Sequence, residues 1–273
     1  MSRTGGHSGD AWYARWFGED YKRLYPHRDS AQAAAQVAAL LALPEVRAAR
    51  HAQAPLRVLD IGCGAGRHLA ALRGAPALHA FGIDLSSVLL RDARAADSAS
   101  PSACARADMR RLPFTDARFD LVASFFTSFG YFDTPEEDAR TLAEFCRVLR
   151  PGGLMFLDLP GRDAVVRSLV PQESLELDGR TVRITRTLEG DCVVKRIVFQ
   201  PRGLAPDPEA GRTETHFERV RLYTFEDLQP VLARLGLERA AVLGDEHGGA
   251  YDPARSPRMS LLLRHVGNTG SGA

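Results

Sequence analysis

Lysine is nearly missing from this chain: of 35 basic residues, only Lys22 and Lys195 are lysines. The 34 acidic residues leave a formal net charge of +1. Without a basic excess or a basic stripe with interleaved aromatics, neither nucleic acid nor an anionic membrane is expected as a partner. No apolar run approaches the roughly 18 residues needed to cross a bilayer, and no charged-then-apolar leader opens the chain. The expectation is a soluble, cytoplasmic protein. Cys63, Cys104, Cys146 and Cys192 are widely spaced and form no Cys-x-x-Cys pair. They read as buried free thiols, not as a disulfide framework or a metal clasp. His-x-x-x-His, His-Glu-x-x-His and Gly-x-Ser-x-Gly are also missing, so no metal is expected and the common acyl-transfer signature is excluded. There is no internal repeat.

What is present is an α/β pattern. With 273 residues and 45% hydrophobic content, one large domain with an embellishment fits better than two equal ones. Apolar strands are expected at 56–61, 78–83, 103–107, 119–125 and 153–159. Helices are expected between them, including 134–148 with Pro135 at its first position. This alternation predicts a doubly wound, seven-stranded, mostly parallel sheet, completed by strands at 237–243 and 258–265. Residues 173–223 lose the helical period. They read as an antiparallel β insertion of three or four strands, with a hairpin turn at Glu189-Gly190-Asp191 and a Pro/Gly loop at 201–211. A helix over 225–235 follows, capped by Thr224 and stopped by Gly236. At the N-terminus, one helix from about Asp10 carries Trp12, Tyr13, Trp16, Phe17, Tyr21 and Tyr25 and stops at Pro26. A second, capped by Ser30, runs to about Leu43 and ends at Pro44. Residues 1–9 and the tail 267–273 have no ordering pattern. The units are therefore 1–45, 46–172, 173–223, 224–266 and the tail.

The chemistry concentrates at Asp60-Ile61-Gly62-Cys63-Gly64-Ala65-Gly66-Arg67. An apolar strand delivers an acid and then three glycines on alternate positions. Such a turn lets a ligand lie directly against main-chain N–H groups. The dinucleotide fingerprint Gly-x-Gly-x-x-Gly would place its third glycine at position 67, which is Arg67. A carboxylate at the turn also repels a pyrophosphate and suits a ligand carrying an ammonium group. Asp84 closes the next strand, where a ribose hydroxyl pair would be gripped.

Five segments in this order resemble the class I S-adenosylmethionine-dependent methyltransferases: residues 60–66, 82–86, 107–114, 119–124 and 149–154. The resemblance covers about residues 56–160. It implies a Rossmann-like core, S-adenosylmethionine as cofactor and methyl transfer to an N or O atom of a small molecule. It further implies that Asp84 binds the ribose hydroxyls, that Asp108 accepts from the adenine amino group and that Met109 donates its backbone N–H. Leu85 and Met109 would sandwich the adenine, Asp60 with Gly62, Gly64 and Gly66 would meet the methionine end, and Ser124 would lead into the rim. More narrowly, residues 126–132 and 221–224 resemble bacterial small-molecule methyltransferases. Members of that subgroup fold an N-terminal helix over the cofactor, so 1–45 is expected as a lid offering Tyr13, Tyr21 and Tyr25.

Methyl transfer is an in-line displacement from an activated sulfonium, so the protein mainly aligns the nucleophile and excludes water. A base is needed only for an acceptor that arrives protonated. The candidates are Tyr131 and His247, followed by Tyr251 and His27. The insertion is expected to roof the substrate or to form a homodimer surface, and Arg183, Arg186, Arg196 and Arg219 are candidates to meet an anionic substrate. Two rival readings stay open: a binding protein that holds S-adenosylmethionine without turnover, and a nicotinamide oxidoreductase.

Overall fold

A computed structural model describes residues 11–25, 29–52, 55–97, 103–201 and 213–267. The expectations for residues 1–9, His27, the greater part of the 201–211 loop and the tail beyond Gly267 lie outside the described residues.

The core sheet contains β1 (Leu56–Ile61), β2 (Leu78–Asp84), β3 (Cys104–Arg106), β4 (Phe119–Ser124), β5 (Leu149–Pro160), β10 (Leu237–Leu243) and β11 (Arg258–His265). Their order is β10-β11-β5-β4-β1-β2-β3. Pairing is parallel from β5 through β3, and β11 runs antiparallel to both β5 and β10. Parallel strands covered on both faces read as continuous apolar runs, and all six residues of β4 are buried. The one charge in that strand, Asp120, is met by Arg57 and, at 2.9 Å, by Arg150. Alternate β1 residues serve the two faces. Leu56 and Val58 pack with residues of α3 (Ser30–Ala42), α4 (Pro44–Ala52), α5 (Arg67–Gly74) and α6 (Ser87–Ala96). Leu59 and Ile61 pack with α7 (Pro135–Val148) and α9 (Phe225–Arg234). The chain leaves β1 toward β2 and β3, then returns to β4 on the other side of β1. That reversal opens a crevice at the carboxyl ends of β1 and β4.

The insertion forms a separate antiparallel sheet of β6 (Gln172–Leu177), β7 (Arg180–Glu189), β8 (Cys192–Pro201) and β9 (Glu214–Arg221). Gly190, at φ +62°, makes the two-residue turn that pairs Glu189 with Cys192. One face of this sheet packs on α1 (Trp12–Trp16) and α2 (Glu19–Leu24), through Trp16, Leu24, Val182, Ile184, Ile197 and Phe199.

Two local expectations need correction. The aromatic N-terminal helix is broken at Phe17-Gly18, because the Phe17 carbonyl accepts from Ser86 Oγ at 2.5 Å and Gly18 is extended. Asp29, not Ser30, caps α3, its carboxylate accepting from Gln32 N. α3 ends before Pro44 as expected, and Pro44 opens a further helix, α4, at a first-turn position where its missing N–H costs nothing. Among the described residues of 1–45, α3 joins the core, whereas α1 and α2 lie on the insertion. The four cysteines are free and buried, as their spacing suggested.

Candidate active site

The glycine turn after β1 faces the loop after β4 across the crevice. Gly62, Gly64 and Gly66 all have positive φ, at +74°, +55° and +84°. A Cβ on Gly62 would lie 2.6 Å from Ser128 Cβ, so only glycine lets the two loops approach this closely. Between them lies a cavity of about 310 Å³, walled by the turn (Gly62 to Ala65, Arg67, His68), the ends of β2 and β3 (Ile83, Asp84, Leu85, Ala107, Asp108, Met109), Leu89, the loop after β4 (Phe125, Phe126, Ser128, Tyr131, Phe132) and the N-terminal helices (Tyr13, Phe17, Tyr21, Lys22, Tyr25).

Most sequence candidates meet on this wall: Gly62, Gly64, Asp84, Leu85, Asp108, Met109, Tyr13, Tyr21, Tyr25 and Tyr131. Asp84 accepts from Gly64 N at 2.8 Å and from Ser86 N at 2.7 Å. It thereby ties the glycine turn to the entry of α6. Burial raises its pKa despite these bonds and one from Leu85 N. Asp108 is engaged by Arg110, whose Nη2 lies 2.7 Å away. Burial pushes Asp108 up, but the Arg110 contacts outweigh it and hold the carboxyl below its ordinary range. The Arg110 guanidinium in turn lies 5.1 Å from the Phe132 ring and 5.9 Å from that of Tyr13.

The N-terminal rings close on the loop after β4. Tyr131 packs against Trp12 at 5.1 Å and Phe17 at 5.8 Å, and Tyr13 against Phe132 at 5.5 Å. This segment is fixed to the insertion by Trp16 Nε1 donating to Glu218, by Lys195 Nζ donating to Tyr25 Oη and by an Arg180–Asp20 ion pair. It is fixed to α6 by Ser86 and by Lys22 Nζ, 2.7 Å from Asp92. The two lysines of the chain, Lys22 within α2 and Lys195 on β8, thus both anchor this segment.

Five expected site residues are not on the wall. Gly66 caps α5 and brings it against α6, where a Cβ would meet Ala93 Cβ at 2.9 Å. Ser124 is 1% exposed inside β4, between β1 and β5, and does not reach the rim. His247 is exposed on a loop folded over Asp245, whose Oδ1 accepts from His247 N and Gly249 N. That loop is closed by a bridge from Leu243 to Ala250, and His247 is not among the residues that line the cavity. Tyr251 packs against the α7/α9 side of the core. Asp60 lies just behind the wall, 1% exposed, and neither carboxylate oxygen has a partner among the described residues. Burial and the charge of Asp84, against the pull of Arg67, push its pKa up to about 8.

Sequence reasoning missed Phe17, Lys22, Arg67 and His68 as wall residues. Arg67 was readable, since it is the first residue of the helix after the glycine turn. Its guanidinium stacks 4.4 Å from the Phe126 ring and donates to Gln32 Oε1 at 3.1 Å. His68 gives no such signal. It is 5% exposed, stacks on Phe125 and bonds Gln36, and burial with the Arg67 charge lowers its pKa to about 3.

An unpartnered, buried carboxylate beside a glycine turn fits a ligand bearing an ammonium group. Asp84 retains lone pairs for hydroxyls, and Leu85 and Met109 offer apolar faces. These features fit S-adenosylmethionine. Residues 58–153 match the family model described as a methyltransferase domain. The chain is 31% identical over 173 residues to dTDP-3-amino-3,4,6-trideoxy-alpha-D-glucopyranose N,N-dimethyltransferase of Streptomyces venezuelae, covering 61% of this chain and 68% of that one. The chain belongs to the S-adenosylmethionine-dependent methyltransferases. Among solved structures it resembles a sugar N-methyltransferase from Streptoalloteichus (25% identity, TM-score 0.63, covering 97% of this chain and 98% of that one). It also resembles an S-adenosylmethionine-bound amino pentose methyltransferase from Micromonospora echinaspora (25% identity, TM-score 0.59, 90% and 97%). Matches to other curated methyltransferases span less than half of their lengths.

Proposed function

We propose that the chain transfers the methyl group of S-adenosylmethionine to the nitrogen of a small-molecule amine, with an amino sugar as the favoured class. One observation carries the reading: each histidine and carboxylate on the cavity wall, among the described residues, is already engaged by protein partners. His68 is held down to about 3. Asp108 is paired with Arg110, and Asp84 with backbone N–H groups. Burial moves Tyr13 and Tyr25 further above the phenol range. Such a wall suits an acceptor that brings its own lone pair, as a neutral amine does. The bound cofactor supplies an activated methyl group; the protein's part is to align the amine and exclude water. The likeness to sugar N-methyltransferases supports the same class. The ring-lined part of the cavity, with Tyr131 clamped between Trp12 and Phe17, is where the acceptor would lie.

The test is turnover with S-adenosylmethionine and paired amino and hydroxyl sugar nucleotides, read by product mass. Methylation confined to the amines is expected, with a rate that rises with pH through the acceptor's own pKa. Equal methylation of the hydroxyl analogues, or none of the amines, overturns the assignment. In the same assay Tyr131→Phe should lower kcat by about tenfold or less, because an orienting hydroxyl contributes less than the 10²–10⁴ of a general base. A loss beyond a hundredfold would make Tyr131 the base.

A further inference from the structure

Phe126 and Thr127, the first two residues after β4 and Phe125, both adopt left-handed backbone, at φ +50° and +63°. They are the only consecutive non-glycine pair with positive φ among the described residues. For bulky and β-branched side chains this conformation is an outlier, and it persists only where the surroundings impose it.

The surroundings here are a buried polar cluster. Asp158 Oδ2 accepts from Phe126 N at 2.8 Å, and the Asp158 carbonyl accepts from Thr127 N at 3.0 Å. Arg258 donates to Thr127 Oγ1 at 3.0 Å and pairs with Asp158 at 2.8 Å. Ser260 and Gln36 bond the same carboxylate, at 2.7 and 2.5 Å. Burial disfavours the Asp158 charge, yet the Arg258 charge and these bonds hold its pKa below the ordinary value. The side chain of Asp158 is fully enclosed. A buried ion pair of this kind adds little stability over an apolar substitute, so its specific geometry is what needs explaining.

That geometry sets the wall. The two left-handed residues turn the Phe126 ring into the cavity, under the Arg67 guanidinium, and deliver Ser128 Oγ to within 3.3 Å of the Gly62 carbonyl. Arg67 is also the cation that acts on buried Asp60. We propose that Thr127, held left-handed by Asp158 and Arg258, is a positioning residue for the amino-acid end of the cofactor, acting through Phe126 and Arg67 and not by contact. The proposal rests on the cofactor assignment.

The test needs no acceptor. S-adenosylhomocysteine and adenosine are titrated calorimetrically into the protein, into Thr127→Gly and into Thr127→Asn, and the melting temperature of each ligand-free protein is recorded. Glycine makes the left-handed backbone optional, whereas asparagine tolerates it and can still accept from Arg258. Thr127→Gly is expected to melt within about 3 °C of wild type, to bind S-adenosylhomocysteine about tenfold more weakly and to bind adenosine unchanged. Thr127→Asn should recover most of the loss. Equal weakening for both ligands, a loss accompanied by a large fall in melting temperature, or unchanged S-adenosylhomocysteine binding overturns the proposal. Failure of the wild-type protein to bind S-adenosylhomocysteine would instead overturn the cofactor assignment.

Discussion

Replacing Asp84 by alanine should weaken S-adenosylhomocysteine binding by about a hundredfold or more. The carboxylate stands at the end of β2, and its two oxygens already accept from Gly64 N and Ser86 N at 2.8 and 2.7 Å. Those bonds orient it, and a carboxylate has further lone pairs to offer two vicinal hydroxyls. Hydrogen bonds to a charged group contribute about 1.5–3 kcal/mol each. Losing two removes about 3–6 kcal/mol, and each 1.4 kcal/mol is tenfold in affinity. The alanine variant also leaves the Gly64 and Ser86 N–H groups without their acceptor, which loosens the turn against α6. Adenosine shares the ribose, so its affinity should fall in parallel. That shared loss separates Asp84 from Thr127, whose replacement should leave adenosine untouched. Calorimetry with both ligands, on a variant shown by circular dichroism to be folded, decides the matter. A loss below fivefold would mean that Asp84 only braces the glycine turn.

How far the sequence reached depended on whether the deciding interaction was local. The parallel strands were readable because burial on both faces leaves continuous apolar runs, as in Leu56–Ile61. The turns were readable where a glycine was required, as at Gly62 and Gly190. The break at Phe17-Gly18 was not, because a hydroxyl 69 residues away takes the Phe17 carbonyl. Helix α8 (Arg162–Ser168) buries none of its residues, so it left no periodic stripe to find. Within the site, Asp84 and Asp108 announced themselves by their place after strands. His68 and Phe126 acquire their positions only from long-range partners such as Gln36 and Asp158. His247 stands off the cavity wall, which the sequence could not show, because a polar, glycine-rich loop looks alike whether it faces a cavity or solvent.

Binding of S-adenosylhomocysteine at pH 7 should release a proton, and Asp60→Asn should abolish that release. Asp60 is enclosed beside Asp84 without a hydrogen-bond partner among the described residues, and its pKa is pushed up to about 8. At pH 7 the ligand-free protein therefore holds this carboxyl largely protonated. A ligand ammonium brought close supplies the missing opposite charge, favours the carboxylate and expels the proton. Calorimetry in two buffers of different ionisation enthalpy measures the number released, which should approach one in the wild type. The same group shapes the stability of the ligand-free protein. An acid whose pKa is raised by folding binds more protons folded than unfolded between its two pKa values. The contribution of this group to stability therefore falls as pH rises from about 4 to about 8. Asparagine cannot ionise, so Asp60→Asn should flatten this slope and raise the ligand-free melting temperature at pH 8, with little change near pH 4. It should also weaken S-adenosylhomocysteine binding by about tenfold or more while sparing adenosine. Stabilisation of the empty protein together with weaker binding is the signature of a charge kept for a ligand. If the wild type releases no proton and the variant leaves the pH slope unaltered, Asp60 is ionised in place and its part in holding the ammonium falls.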